Sequence, residues 1–598
     1  RPMFFSMLII TVSFLPIFTL EAQEGRLFKP LAYTKTFSML CAALLSITLA
    51  PMLMIALLRG RVRPEGEHPV SLLLQRWYRP WVSALVRRRA FSIAVAVLAV
   101  GSCGLIVHRI GSEFMPDLNE GDMLYMPVTV PGISATEASR LLQLQDKIIR
   151  AFPEVARVFG KIGRSETATD PAPLDMVETT IMVKPQDQWR PGMTWERLRH
   201  DLTQALALPG VSPGGLQWPI KTRIDMLTTG IRSPVGVKLF GPDLAVLQRL
   251  AAEVERLLQQ VPGTTSVYAE RVTGGSYVDI VPRREAAARY GLGVEEVLEL
   301  VETAIGGMNI DQTVEGRERY RINIRYPREL RDELDKLGRV LVPTMMGAQV
   351  PLGELADIHI TSGPPMIRDE NGSLTAWVYV YVRGRDIGSY VADAQKVVAR
   401  HLALPPRHYL TWTGEYEYMM RVRQRLLLVV PLTIFIIAVM LYLNFRSFAQ
   451  TAIVLLSVPF AVTGSLWALY LLGYHLSAAV WVGIIALAGV AAETGVVMIV
   501  YLDEAFHRHQ REGRMNNLHD LFEAITEGAV QRVRPKVMTV MCIFGGLLPL
   551  MWAHGSGADV MRRIAAPMIG GVITSTLLTL EIVPAIYSFW RQRQIGRG

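Results

Sequence analysis

Three cysteines in 598 residues leave this chain almost no thiol chemistry. Cys41, Cys103 and Cys542 all fall inside apolar runs, so neither a disulfide framework nor a CxxC metal site can be built from them. Charge is thin too. Only 19% of residues are Asp, Glu, Lys or Arg, 50% are hydrophobic, and the mean hydropathy is +0.27. Such values lie between a soluble protein and a wholly embedded one, and imply a membrane protein with a large water-exposed portion. No low-complexity tract appears, and no signal peptide is visible. The opening RPMFFSMLIITVSF starts inside an apolar segment without an initiator Met, which suggests a truncated chain.

The net charge of +9 is unevenly placed. Residues 59–89 hold eight arginines and no lysine. Arginines packed between apolar runs follow the positive-inside rule, and we read no nucleic-acid binding from them. Hydropathy gives eight spans, at about 3–20, 31–58, 90–110, 426–444, 449–473, 478–502, 537–553 and 564–590. The basic stretches 59–89, 503–536 and 591–598 then share one side, which puts both termini in the cytoplasm. The interrupted segment 72–86, LLLQRWYRPWVSALV, reads as an interfacial amphipathic helix.

Between the third and fourth spans, Ser112 to Gln424 alternate strand-like and helix-like patterns. LYMPVTVP, ATEASRLLQLQDKIIRAF, VARVFGKIG, VETTIMVKP and TWERLRHDLTQALA run strand–helix–strand–strand–helix. VGVKLFGP, LAVLQRLAAEVERLLQQV, TTSVYAER and SYVDIVP repeat the theme. The expected fold is therefore a membrane α-helical bundle plus an outer α+β region of ferredoxin-like split βαβ subdomains.

Two features carry chemistry. Glu493 stands in GVAAETGVVMIVYL, inside an apolar run from Ala478 to Leu502. A carboxylate there costs about 2.5–3.5 kcal/mol on insertion scales, so a function or a buried partner must offset it. Gly489, Ala491, Ala492 and Gly495 allow close helix packing and a dry pocket, in which protonation can switch as access alternates. A purely structural, hydrogen-bonded carboxyl is the plainer alternative. Glu581, in TLLTLEIVPAIY, is a second intramembrane carboxylate, read as snorkelling or capping. The other feature is methionine. Of 26, 13 lie in 112–424, a stretch with no cysteine and four scattered histidines. Thioether sulfur is a soft, neutral ligand suited to Cu(I) and Ag(I), whereas Zn(II) favours His, Cys or carboxylate. Any single Met is more often core filler, and spacing does not show that distant methionines converge.

GVAAETGVVMIVYL, RVRPKVMTV, RIAAPMIGG, FMPDLNEGDMLYMP and RVFGKIGRSETATD together resemble the heavy-metal efflux branch of the resistance–nodulation–division transporters. The likeness is to its copper/silver exporters of the CusA and SilA type, and it runs over essentially the whole chain. It implies a start just before the fifth of twelve spans. The implied division is 1–58, two spans; 59–89, a cytoplasmic linker; 90–111, one span; 112–215, a periplasmic pore subdomain. Residues 216–282 with 363–425 form a second pore subdomain, 283–362 an inserted docking subdomain, and 426–598 five spans with a cytoplasmic loop at 503–536.

The resemblance also implies roles. Glu493 and Lys536 match a proton relay whose aspartate belongs to a span this chain does not contain; a snorkelling anchor is the ordinary alternative for Lys536. Met126, Met176 and Met226 match a three-methionine metal site, with Asp170, Glu178, Arg223 and Arg232 as charges lining its cleft. Met39, Met54 and Met561 match a stepwise methionine relay through the membrane, with Met52 and Met568 close enough to be confused with them. The implied activity is proton-driven export of Cu(I) and Ag(I) from a Gram-negative inner membrane, with no resident cofactor. The implied partners are two further copies in a homotrimer, a periplasmic adaptor, an outer-membrane channel and a periplasmic metallochaperone. A divalent-cation or drug exporter of the same superfamily, or a non-transporting scaffold on the same fold, are the alternatives.

Overall fold

A computed structural model describes residues 2–57, 68–116, 118–163, 173–212 and 214–595. Its outer region holds two sheets of one plan. In the first, Asp122–Tyr125, Val155–Ile162, Val177–Val183 and Leu216–Gln217 are strands one to four, with helices Ala135–Arg150 after the first and Trp195–Ala205 after the third. Spatial order is 2-3-1-4, all antiparallel. That is the split βαβ arrangement. Ser134 and Thr194 start the two helices by accepting the Glu137 and Arg197 backbone N–H groups.

The second sheet repeats the order with Val235–Gly241, Thr264–Ala269, Ser373–Val382 and Tyr409–Gly414. Helices Leu244–Gln259 and Ile387–His401 cover it, capped by Asp243 and Asp386. Alternating Val235, Val237 and Leu239 meet Ala376, Val378 and Val380 in its core. Between its second and third strands the chain leaves and returns through an antiparallel ribbon, Gly275–Pro282 against Ala356–Gly363. The segment between carries a small core of its own, around Val297, Val342 and Leu352, and an exposed hairpin at Met308–Glu315 and Glu318–Ile324.

Among the described residues, six helices are long and apolar enough to cross a membrane: Ala22–Ile47, Arg89–Val107, Glu415–Phe445, Phe448–Leu472, Ala478–Arg511 and Leu518–Trp552. A pair bent by 42°, Ala558–Leu577 with Thr579–Arg593, makes a seventh. The eighth expected span, 3–20, differs. Its helix breaks between Ser13 and Leu15, just ahead of Pro16, and Ser6–Phe18 is the shorter apolar piece. Residues 503–536 are also more regular than a loop. Helix Ala478–Arg511 runs on past the apolar stretch, and a new helix starts at Leu518 behind an Asn517–Asp520 capping box. Pro69–Arg87 forms one helix that buries Ser71, Val82 and Val86 and exposes Trp77 and Trp81.

Helix Ala478–Arg511 lies at the centre of the bundle. A Cβ added to Gly489 would sit 3.0 Å from the Ser13 Cβ, and one on Gly495 3.2 Å from the Val454 Cα. The small residues around Glu493 therefore let two neighbouring helices close on it.

Candidate metal centre and intramembrane charge pair

Three elements converge on the thioethers. Met126 follows strand Asp122–Tyr125, and Pro127 ends the ladder there. Met176 immediately precedes strand Val177–Val183 and is bridged to Val128. Met226 sits in helix Pro219–Thr229, which Gly230 terminates at φ +77°. Met126 (3% exposed) and Met176 (6%) pack with Leu124 in one small cluster, and Met226 packs against it. Residues spaced fifty apart in the chain thus meet. No group of three or more His, Cys, Asp or Glu that could hold a metal exists among the described residues. The three thioethers gathered here are soft donors, which suit a soft monovalent ion.

Charges ring the cluster. The buried Arg232 donates from Nη1 to the Met176 Sδ at 2.9 Å, and its guanidinium lies 4.4 Å from the centre of the Tyr379 ring. Glu178, on the strand after Met176, is ion-paired with Arg223 and with Lys161 at 3.3 Å. Asp170 lies outside the described residues. A cavity of about 430 Å3 opens beside the cluster, lined by Arg232, Lys221, Asp225, Glu415, Trp218 and Tyr381 among others.

In the bundle, Lys536 is 3% exposed and its ammonium donates to the Thr494 hydroxyl at 2.7 Å. Thr494 follows Glu493 directly, so charge and countercharge face one pocket without an ion pair. Lys536, Arg532 and Lys35 are the cations whose field reaches Glu493. Lys536 lies inside helix Leu518–Leu547, one residue past Pro535, and is buried rather than reaching for a surface as a snorkelling anchor would. Met39 packs on the cluster around Phe28 and Phe114, as does Met568, whereas Met54 is 60% and Met561 37% exposed.

Sequence reasoning passed over one constellation. Lys221 ion-pairs with Asp225 (2.9 Å) and with Glu415, and the hydroxyls of Thr228 and Tyr418 share a hydrogen bond. The i, i+4, i+7 spacing of Lys221, Asp225 and Thr228 was the available signal.

Residues 1–591 match the model of the AcrB/AcrD/AcrF family. The chain belongs to that family. It is 48% identical to the cation efflux system protein CusA of Escherichia coli K12 over 594 residues, 99% of this chain and 57% of CusA. SilA of Salmonella typhimurium is 47% identical with the same coverage, and CzcA of an Alcaligenes strain 36% identical, over 98% of this chain and 55% of CzcA. A solved heavy metal efflux pump superposes with a TM-score of 0.86 at 30% identity, covering 99% of this chain and 58% of that one. The chain thus spans somewhat over half the length of these relatives. Within the family it is of the heavy-metal, CusA and SilA type that its motifs indicated, a multi-pass inner-membrane protein with a large periplasmic region.

Proposed function

We propose that this chain is part of a proton-driven exporter of Cu(I) and Ag(I). The observation that supports the reading most is the convergence of three thioethers, with Met126 and Met176 buried beside Leu124 and Met226 packed against them. The ion enters the outer cleft as substrate and is held by sulfur, and the surrounding carboxylates and guanidinium groups set its electrostatic cost. Glu493 takes up and releases the coupling proton, and Lys536, held by Thr494, supplies the nearby positive charge. Each proton crossing gains about 2.3 kcal/mol per 100 mV of membrane potential. Met39, Met54 and Met561 are proposed steps for ions arriving through the membrane.

The working unit we propose is a homotrimer joined to a periplasmic adaptor and an outer-membrane channel, with 283–362 as the docking part and a periplasmic metallochaperone as one donor. A divalent-cation pump is the second reading, motivated by the 36% identity to CzcA; the absence of a His, Cys or carboxylate cluster among the described residues speaks against it. Titration of the purified protein with Ag(I) and Zn(II) decides. Tight silver binding that collapses in Met126→Ile, Met176→Ile and Met226→Ile supports the proposal. Unchanged affinity in all three sinks it.

A further inference from the structure

Helix Pro219–Thr229 has two working faces. Met226 turns to the methionine cluster and Arg223 to Glu178. Lys221, Asp225 and Thr228, one helical stripe, turn instead to the first two turns of helix Glu415–Phe445. The helix is fixed at its start as well, where the Glu120 carboxylate accepts the Ile220 and Lys221 backbone N–H groups at 2.7 and 2.8 Å.

The stripe is buried and charged. The side chains of Lys221, Asp225 and Glu415 are 14%, 10% and 10% exposed, so one ammonium stands between two carboxylates away from bulk water. Burial alone would depress Lys221, but Glu415 and Asp225 outweigh it and hold the ammonium above the usual lysine range. Burial pushes Asp225 up, against the pull of Lys221. Removing one member of such a set strands the others, so the triad resists being pulled apart.

The partner helix is what gives this meaning. Glu415 is its first residue, directly after Gly414, whose φ of +82° turns the chain out of the second outer sheet. From there 31 residues run without a break into the bundle, roughly 46 Å at the α-helical rise. Tyr418 sits in the same core cluster as Ile10, Phe14, Val482 and Ala486, and Ile10 lies against Gly489, four residues before Glu493.

We infer that the Lys221–Asp225–Glu415 triad, with the Thr228–Tyr418 hydrogen bond, is the mechanical link that makes the Met226 helix move with the membrane helix Glu415–Phe445. Lys221 and Glu415 are positioning residues: they touch neither ion nor coupling proton, and they tie the geometry at Met226 to the helix packed beside the Glu493 helix. The inference rests on the transport reading above and extends it to how its two sites communicate.

The test uses the full-length transporter in proteoliposomes, with Ag(I) affinity and proton-driven Ag(I) export measured on each variant. Lys221→Met and Glu415→Gln are expected to lose at least about tenfold in export while Ag(I) affinity stays within about threefold, a split that a merely structural defect does not produce. Lys221→Arg keeps the charge and is expected to retain export. The exchanged pair Lys221→Glu with Glu415→Lys, made together with Asp225→Asn so that position 221 faces no like charge, restores one ion pair between the two helices and is expected to recover most of it. Wild-type export in both single variants overturns the link. So does loss of binding and export together with no recovery in the exchanged pair, which would mark the triad as scaffold. Should Lys221→Met fail to fold, Thr228→Val with Tyr418→Phe removes the second contact without stranding a charge; export unchanged in that pair overturns the link as well. Failure of the metal-site reading shows separately, as unchanged Ag(I) affinity in Met226→Ile.

Discussion

Lys536 donates to Thr494 at 2.7 Å, and not to the neighbouring Glu493. The Thr494 hydroxyl accepts from the ammonium and itself donates to the Val490 carbonyl, so the lysine is held without using the carboxylate, which can gain and lose a proton. An ion pair closed in every state could not cycle. Glu493→Gln keeps shape and hydrogen bonding but does not titrate. We expect it to fold, to bind Ag(I) in the outer region with wild-type affinity, and to export none in proteoliposomes under a proton gradient. Wild-type export in that variant would show the residue is structural.

Thr494→Val makes a finer prediction. It removes the acceptor that holds Lys536, leaving a buried ammonium to find another partner at a cost of about 1–3 kcal/mol. Lower thermal stability is expected, together with an export-versus-pH curve displaced from wild type. An unchanged pH curve would mean the hydroxyl takes no part in the relay.

How much of this was legible in the chain follows from what each residue competes with. Glu493 stood out because a carboxylate inside an apolar run has few ordinary explanations. The sheets were legible because Val235, Val237 and Leu239 alternate strictly. The methionine cluster was not readable from spacing: Met126, Met176 and Met226 are brought together by a strand end, a bridge and a helix, which only the tertiary fold or a resemblance supplies. Lys221, Asp225 and Glu415 went unnoticed because nothing in a sequence separates a buried charge from a solvated one. The helical start at Leu518 was missed although NNLHD carries its capping box, since the hydropathy pattern there was read for spans alone. The break before Pro16 was likewise hidden by an unbroken apolar run.

Selectivity should follow the softness of sulfur. Cells that depend on the complete transporter are expected to gain tolerance to silver and copper and none to zinc or cobalt. Each Met→Ile change in the cluster should cost at least about tenfold in Ag(I) affinity, since ligand loss exceeds the 10- to 100-fold usual for outer-shell changes. Zinc tolerance equal to silver tolerance would favour the divalent reading.

Acid sensitivity of the outer region has an identifiable contributor. Arg190 donates to Glu154 through both Nε (2.5 Å) and Nη2 (2.9 Å), and this pairing holds the Glu154 carboxyl below its usual range. A depressed carboxyl adds stability above the unfolded pKa of about 4.3 and loses it as pH falls through the lower folded value. Unfolding of the wild type should therefore become easier as pH drops below about 5, and Glu154→Gln should flatten that part of the curve. Thermal melts from pH 7 down to pH 3 read it out; identical pH slopes in the two proteins would remove the pair from the account.

Arg232 bears on metal release. Its Nη1–H is directed at the Met176 sulfur, the lone pair a soft ion would also use, and the stacked Tyr379 ring holds the guanidinium in place. Cation and guanidinium therefore contest one acceptor, and their like charges repel. At a separation near 5 Å and an effective dielectric of about 20, that repulsion is on the order of 3 kcal/mol before rearrangement. Arg232→Gln removes the charge and draws the donor back from the sulfur, so Ag(I) should bind more tightly, by several-fold once rearrangement and salt are allowed for. Export should fall at the same time, because an ion held harder leaves more slowly. Arg232→Lys should stay near wild type in both measurements. Weaker silver binding in Arg232→Gln would show that the guanidinium supports the site and does not compete with its ion.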